Sequence, residues 1–335
     1  IQKRKREMGL DFSLSVLSQH VDTYSVPHVQ LFPIQERRSK LGVDAIQIPG
    51  KTEIPGWMSD GFDEFVSRWI QATSQTKQVV VSLGGHVVGR EDTAYLNDLI
   101  RLGAITHLAV NGAAFFQDVE LAAFGHTEEI EDGSLVTGRR GMWQESGQMI
   151  HRALAEGREL GLGYGESVIR YASKHLDDFP YLSLSLMGSC MAANIPYTCH
   201  ITIGTDDIQL HPDGNFADQG FASGLDFQSY CHSVANLEGG MFINFGSTVT
   251  GPEVFLKALS IVRNLGNLVH QITTANFDIV RLGNYHKKVG YEDWDYYYRP
   301  RKNIIHRPTS LGGKGYHFEG LHQVTIPNIW KKLTN

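Results

Sequence analysis

The sequence has few cysteines and no long apolar run. Its three cysteines, Cys190, Cys199 and Cys231, are widely spaced and form no CxxC pair. An odd, dispersed set of this kind excludes a disulfide framework and a cysteine-rich zinc site, and it fits a reducing cytosol. No apolar run approaches the roughly 18–20 residues that are needed to span a bilayer. The sequence therefore predicts a cytoplasmic protein without a membrane segment.

A basic excess is also absent. The 335 residues include 30 Lys and Arg against 36 Asp and Glu, which gives a net charge of −6. Because nucleic-acid binding requires a basic face, this balance argues against a nucleic-acid partner. A short basic run, Lys3–Arg6, is interpreted as a solvated arm, with contact to an anion or a partner as the alternative. No apolar segment of a signal peptide follows this run.

The usual dinucleotide fingerprint, GxGxxG after a strand, is missing as well. What the sequence does contain is a series of continuous apolar runs that alternate with helical stretches, and this pattern predicts a doubly wound parallel sheet of the α/β class. We predict an N-terminal extension over residues 1–40 and a single domain over 41–335. Strands are predicted at 78–83, 105–110, 197–203, 241–245 and 269–274, and helices at 62–74, 93–102, 253–263 and 324–332.

Small or polar residues stand at four of the predicted strand ends. Ligands of an open parallel sheet bind at the carboxyl ends of its strands, where the loops lead into helix N-termini. Each of the four segments alone is an ordinary turn. Together they predict a dinucleotide or another phosphate ligand where the ends converge. The segments are Gly84-Gly85-His86, Asn111-Gly112-Ala113-Ala114, Gly246-Ser247 and Thr273-Thr274-Ala275-Asn276.

Two further segments carry polar or aromatic side chains. The segment His200–Asp207, followed by His211, mixes imidazoles and carboxylates, but its spacing matches no known metal-ligand motif. It is interpreted as a polar pocket wall, and no metal is predicted. The segment Asp293–Tyr298 would line a pocket for an amine through cation–π contacts, or form a contact between subunits.

Taken in order along the chain, several motifs resemble the deoxyhypusine synthase family, over roughly residues 40–332. The similarity is greater to the bacterial synthase-like branch than to the eukaryotic enzymes. It is specific as a series, although no single motif is strong alone. The series consists of Gly84-Gly85-His86, residues 108–118, Gly165–Val168, Asn194–Pro196, Gly240–Ser247, Ile272–Ala275, Arg299-Pro300 and Ile326-Pro327.

The resemblance implies a Rossmann-like, deoxyhypusine-synthase-like fold that binds NAD and is usually assembled as a homotetramer. It also implies polyamine chemistry, in which NAD takes a hydride from spermidine and a lysine accepts the resulting aminobutyl imine and passes it to an acceptor amine. The same resemblance matches Asp278 to a ribose-contacting aspartate. It assigns further NAD contacts to Gly84, Gly85, His86, Asn111, Gly112, Ala113, Gly246, Ser247, Thr274, Ala275 and Gly320.

The acidic pair and the histidine of the family's catalytic pattern are replaced in this chain. An acidic pair follows the glycine turn in the family, and Phe116-Gln117 stands in its place here. A histidine of the family falls in a segment that reads Thr250-Gly251-Pro252. The catalytic residues of the family therefore do not carry over as a set.

The position of the family's lysine depends on the register. It lies nine residues after an Arg-Pro, which from Arg299 is Pro308, whereas a different register places Lys314 there. With Pro308 the covalent lysine is missing, and His306 and Arg307 become the nearest polar groups. We predict a synthase-like, NAD-dependent transferase of aminoalkyl groups acting on a polyamine such as spermidine. The alternatives are a non-catalytic NAD-binding homologue and a simple NAD-dependent amine oxidoreductase.

Overall fold

The computed structural model describes residues 28–46, 48–89 and 92–334. In this part of the chain, strands and helices alternate over most of the length, as expected for an α/β protein. The strands are β1 (Ser39–Gly42), β2 (Val79–Leu83), β3 (His107–Asn111), β4 (His126–Glu129), β5 (Tyr197–His200), β6 (Met241–Phe245), β7 (Thr273–Asp278) and β8 (Lys314–Glu319). The helices are α1 (Phe62–Ser74), α2 (Asp92–Arg101), α3 (Gly112–Phe124), α4 (Gln144–Leu160), α5 (Tyr164–Lys174), α6 (Leu186–Ala193), α7 (Phe216–Ala235), α8 (Thr250–Asn264) and α9 (His322–Thr334).

Six strands form one parallel sheet in the spatial order β5-β3-β2-β6-β7-β8. Counted along the chain, this is the order third, second, first, fourth, fifth, sixth, which is the order of the Rossmann fold. The direction in which successive strands are added reverses between β2 and β6. Such a switch point leaves a crevice outside the carboxyl ends of the two strands, and ligands of open α/β sheets bind there. The predicted fold class is confirmed.

The central strand β2 shows why these apolar runs become buried strands. All five of its residues are buried, and alternate side chains join the two different core clusters. Val79 and Val81 pack with one layer of helices, whereas Val80 packs with Val234 of α7 and Val262 of α8 on the other face. When both faces of a strand are buried, the side chains on both faces are apolar, so its sequence is a continuous apolar run rather than an alternating one.

One predicted strand was placed too early in the sequence. Residues 269–272 of this apolar run form a loop whose Val269 and Ile272 are buried in the core, and the strand β7 begins only at Thr273. The side chains of β7 are mostly polar and are buried in a hydrogen-bonded network, so hydropathy gives no sign of the strand. Strands β1, β4 and β8 were not predicted for a similar reason, because they are short and carry polar side chains.

Part of the predicted N-terminal extension packs on the domain. Strand β1 pairs antiparallel with β4. Just before β1, the buried guanidinium of Arg37 forms two hydrogen bonds to the carboxylate of Glu120, which also accepts hydrogen bonds from Thr127 and Ser146. The basic run Lys3–Arg6 lies outside the described residues. No helix in the described part of the chain is long and apolar enough to span a membrane.

Candidate functional site

A cleft of about 700 Å³ lies at the carboxyl edge of the sheet, over the switch point between β2 and β6. Its volume falls within the range of small-molecule sites. Loops after β2, β3, β6, β7 and β8 contribute to its walls. The lining residues are Gly85, His86, Asn111, Ala113, Gln117, Glu128, Gly246, Ser247, Thr248, Val249, Thr250, Asp278, Ile279, Val280, Leu321, His322 and Gln323.

Two glycines allow the ends of β2 and β6 to meet at the floor of the cleft. The backbone N–H of Gly84 donates a 2.9 Å hydrogen bond to the carbonyl oxygen of Phe245. A Cβ atom added to Gly84 would lie 2.5 Å from the carbonyl oxygen of Gly246. Gly246 itself has a φ of +67°, a conformation that glycine adopts most readily, and a Cβ there would lie 2.8 Å from Nε2 of His322.

Three helices begin at the cleft, so their N-terminal N–H groups give it a positive potential. These helices are α3, α8 and α9. The side chain of Asn111 caps α3 by accepting a 2.9 Å hydrogen bond from the N–H of Ala114. In the first turn of α8, the hydroxyl of Ser247 accepts a 2.8 Å hydrogen bond from the N–H of Gly251. Residues of all three N-terminal regions line the cleft, so the arrangement favours a ligand that carries negative charge.

A buried hydrogen-bond network supports the opposite wall. The hydroxyl of Tyr298 donates a 2.6 Å hydrogen bond to the carboxylate of Asp278, which lines the cleft, and accepts one of 3.0 Å from Asn276. Asn276 is bonded in turn to Asn244, whose amide nitrogen also donates to the carbonyl oxygen of Ser247. Burial, together with the hydrogen bond to Asp278, raises the pKa of Tyr298 far above its usual value, so this hydroxyl stays a donor.

The cleft also has a distinct charge pattern. Its lining residues include the two carboxylates of Asp278 and Glu128, and none of them is a lysine or an arginine. Glu128 pairs with Lys40 of the neighbouring strand β1 at 2.9 Å. Among the described lining residues, positive potential therefore comes from backbone N–H groups rather than from lysine or arginine side chains.

Of the predicted NAD-contacting residues, seven line this one cleft: Gly85, His86, Asn111, Ala113, Gly246, Ser247 and Asp278. Gly84 lies directly behind the lining, where β2 meets β6. The structure thus brings together three of the four predicted strand ends. That these residues bind NAD remains a prediction.

The fourth predicted strand end was wrong, and two further positions lie outside the lining. Thr274 and Ala275 are the second and third residues of β7, both buried, and the hydroxyl of Thr274 donates to the carbonyl oxygen of Ile304. Gly112 lies against the carboxylate of Asp206. Gly320 packs beside Trp57. The true carboxyl end of β7 is Asp278, which the resemblance had identified.

The three residues predicted for catalysis lie away from the cleft lining. Lys314 is the first residue of β8, at the amino edge of the sheet, and its amine pairs with Glu64 at 2.7 Å. His306 bonds to the carbonyl oxygen of Tyr285, and Arg307 bonds to Asn303. None of the three faces the cleft, and the structure gives no support to them as catalytic groups.

The segments interpreted as pocket walls do not line the cleft either. His200 is buried at the end of β5, and burial lowers its pKa to about 4. In the described residues, no group of three or more histidine, cysteine, aspartate or glutamate side chains is arranged to hold a metal ion. In the aromatic segment, the amine of Lys302 lies 3.6 Å from the ring centre of Tyr296, so the chain itself supplies a cation to this face.

Sequence reasoning missed part of the lining. Gln117 stands at the place of the family's acidic pair but was not predicted to line the cleft, although it lies one turn after Ala113 on α3 and a helical projection from the predicted strand end would have indicated it. His322 and Leu321 follow the unpredicted strand β8, and Glu128 belongs to the unpredicted strand β4. No sequence pattern indicated that these three residues line the cleft, because the hydropathy pattern does not show the strands that position them.

No family model and no curated protein matches the chain. Among solved structures, a conserved candidate LOR/SDH protein from Methanococcus maripaludis S2 is 13% identical with a TM-score of 0.51, over 86% of this chain and 73% of that chain. AgrE in complex with ornithine and NAD⁺ is 15% identical with a TM-score of 0.47, over 81% of this chain and 32% of that chain. A candidate deoxyhypusine synthase from Entamoeba histolytica is 10% identical with a TM-score of 0.42, over 80% and 87% of the two chains.

These likenesses concern the fold. The similarity to the Methanococcus protein agrees with the strand order in defining a Rossmann-like α/β protein. The chain spans about a third of the AgrE chain, at 32%. The cleft thus lies at the switch point of a parallel sheet, the position at which open α/β folds bind their ligands.

Proposed function

We propose that the cleft binds NAD(H) and that the chain is an NAD-dependent enzyme acting on an amine. The observation that carries this proposal is the convergence of three helix N-termini and the glycine-built ends of β2 and β6 on one cleft at the switch point. Backbone N–H groups at such ends bind the phosphates of dinucleotides without any cationic side chain. The donor set of the cleft fits this role.

Different residues around the cleft would contact different parts of such a ligand. The N-terminal turns of α3 and α8 face a pyrophosphate, since Asn111 and Ser247 fix their first turns. Asp278, on the opposite wall, accepts hydrogen bonds from ribose hydroxyls. The apolar side chains of Val249, Ile279 and Leu321 at the cleft exclude water from a bound ring system. When bound, NAD supplies an acceptor for a hydride.

The finer proposal is transferase activity of the deoxyhypusine synthase type on a polyamine such as spermidine. Its support is the series of sequence motifs, several of which lie at the cleft. Because no lysine lines the cleft in the described part of the chain, the acceptor of the aminoalkyl group would be a free amine that attacks the imine directly. The same observation favours a second candidate, a simple NAD-dependent amine oxidoreductase, in which water or no acceptor takes part.

One incubation separates these activities. The protein is incubated with NAD and spermidine, while NADH absorbance and free 1,3-diaminopropane are measured. Release of the diamine without net accumulation of NADH supports the transferase, because reduction of the imine transferred to a second amine consumes the NADH. NADH that accumulates, with or without the diamine, supports the oxidoreductase, because hydrolysis of the imine by water also releases the diamine. Neither product, at saturating NAD, supports a non-catalytic homologue.

We also propose that the protein assembles as a homotetramer. The family resemblance supports this, and so does an aromatic surface on which Tyr291, Trp294 and Tyr297 are 74%, 72% and 68% exposed. Exposed aromatic surface of this kind is typical of a contact between subunits. Light scattering at micromolar concentration tests the proposal, and a mass near the 37.4 kDa of one chain would contradict it.

A further inference from the structure

A second pocket, of about 520 Å³, lies away from the cleft and shares no lining residue with it. Helix α9 begins at the cleft with His322, and Trp330, which lines the second pocket, lies about 12 Å further along the helix axis. Helix α2 follows β2 and therefore also starts at the carboxyl edge of the sheet, whereas the pocket is lined by its C-terminal half. The second pocket is thus separate from the proposed cofactor site.

The wall that α2 forms contains a buried hydrogen-bond acceptor without a donor. Asn97 lines the pocket and is only 3% exposed. Its Nδ2 atom donates a 2.8 Å hydrogen bond to the carbonyl oxygen of Leu184, which fixes the orientation of the amide. Within the described residues, its Oδ1 atom is buried and has no hydrogen-bond partner. Because an unpaired buried carbonyl oxygen is costly, a ligand that brings an N–H donor to this pocket is favoured.

A cationic side chain lies close to this amide. Arg101 follows Asn97 by one helical turn on the same side of α2 and also lines the pocket. Its guanidinium donates a 2.9 Å hydrogen bond to the carbonyl oxygen of Ser183, while Asn97 is bonded to that of Leu184. Because the two side chains bond to consecutive carbonyl oxygens, they must lie near each other. The guanidinium carries further N–H groups, which suit a carboxylate.

Apolar side chains form much of the remaining wall. The indole of Trp330 is held by a 2.6 Å hydrogen bond to the carboxylate of Asp98 and by an edge contact with Tyr95, at 5.4 Å between ring centres. Val43 and Pro49 line the pocket as well. An apolar pocket with a few convergent polar groups is typical of a site for a small molecule.

From this arrangement we propose that the second pocket binds a free α-amino acid with an apolar side chain. Its ammonium group donates to Oδ1 of Asn97, its carboxylate pairs with Arg101, and its side chain packs on Trp330. An α-amino acid fits because it carries a donor and an anion on one carbon atom, next to an apolar group. The carboxylate of Asp98, which also lines the pocket, favours the positive charge of the ammonium group. The proposal goes beyond NAD binding at the cleft and does not rest on it.

Calorimetric titration with L-phenylalanine and L-leucine tests the site in the whole chain. Both should bind saturably to wild type. Arg101→Gln should weaken their binding by about fivefold to tenfold, because it removes the partner of the ligand carboxylate. The matched control is Arg152→Gln, since Arg152 is an exposed residue of α4 that lines neither the cleft nor the second pocket; it should leave the affinity unchanged.

Three analogues of phenylalanine test which groups are recognised. Phenylethylamine lacks the carboxylate, phenylpropanoate lacks the ammonium group, and N-acetyl-L-phenylalaninamide lacks both charges. Each should bind at least about fivefold more weakly than L-phenylalanine. The proposal would be overturned if neither amino acid bound, or if wild type and Arg101→Gln had the same affinity. Binding of N-acetyl-L-phenylalaninamide as tight as that of L-phenylalanine would also overturn it, because the pocket would then accept a segment of a polypeptide.

Discussion

Tyr298 donates a 2.6 Å hydrogen bond to the carboxylate of Asp278 from a segment that lies twenty residues further along the chain. Tyr298 does not line the cleft, whereas Asp278 does. The tyrosine is therefore a positioning residue, which holds the carboxylate at the end of β7 in the lining of the cleft. Through Asn276 and Asn244 the same network reaches the carbonyl oxygen of Ser247, so the two walls of the cleft are fixed relative to each other.

The first prediction removes this hydrogen bond. Tyr298→Phe should lower the affinity for NAD by about threefold to tenfold, because one net hydrogen bond is worth about 0.5–1.5 kcal/mol. The matched control is Tyr297→Phe, since Tyr297 is 68% exposed. Calorimetry measures the NAD affinity of both variants. Equal NAD affinities of Tyr298→Phe and Tyr297→Phe would show that the hydrogen-bond network plays no part in binding.

The second prediction concerns Gly246. Gly246→Ala should both lower the free energy of unfolding and weaken NAD binding, because the added methyl strains a φ of +67° and moves toward His322. Gly266→Ala is the control, since Gly266 has a φ of +88° with nothing within 4 Å of its added Cβ. It should cost about 1 kcal/mol of stability and leave NAD binding intact. Weakened binding in both variants would indicate a general effect of backbone strain.

The third prediction is a pH dependence of stability. His107 is buried between Ser233 and Thr198, with hydrogen bonds of 2.8 Å to each hydroxyl, and burial lowers its pKa to about 3. The unfolded chain therefore binds more protons than the folded chain between about pH 6.5 and pH 3. The stabilisation is fully present above pH 6.5 and is lost as the pH falls.

Urea unfolding as a function of pH measures this effect. His200, whose pKa is lowered to about 4, contributes in the same direction as His107, whereas Asp118 and Asp226, whose pKa values burial raises to about 6 and about 7, act in the opposite direction. The test is therefore the difference between wild type and His107→Gln between pH 6.5 and pH 4. In His107→Gln, the slope of the free energy of unfolding against pH should decrease by the equivalent of up to one bound proton. An unchanged slope in a variant that is folded at pH 7 would argue against a neutral buried His107.

The fourth prediction concerns the choice of cofactor. Among the described residues that line the cleft there is no lysine or arginine to pair with the 2′-phosphate of NADP, and Asp278 and Glu128 would repel it. NAD should therefore bind at least tenfold more tightly than NADP at the same ionic strength. Comparable affinities in a competition titration would place the adenosine ribose elsewhere.

The parts of the fold that sequence could predict are those with a clear apolar pattern. Strands β2, β3 and β6 lie at the centre of the sheet and are buried on both faces, so their runs are continuous, and the turns that follow them were found with them. These turns supply one side of the cleft. The prediction of α1 at 62–74 succeeded because its apolar residues recur at helical spacing.

The parts that could not be predicted depend on buried polar groups. In β7, Thr274, Asn276 and Asp278 are each paired with a side chain or backbone group from a distant segment. A hydropathy pattern cannot distinguish such a strand from a loop, since the pairing is tertiary. Glu128 was missed for the same reason, because the two-stranded sheet that holds it is built from short polar segments.

Titration of the wild-type protein with NADH is the most direct measurement of the central claim, that the cleft at the switch point binds a nicotinamide dinucleotide. Binding is followed by calorimetry, with Gly246→Ala and Gly266→Ala measured alongside. The proposal predicts saturable binding of one NADH per chain in wild type and Gly266→Ala, and clearly weaker binding in Gly246→Ala. No binding to wild type, or the same affinity in Gly246→Ala as in Gly266→Ala, would contradict it.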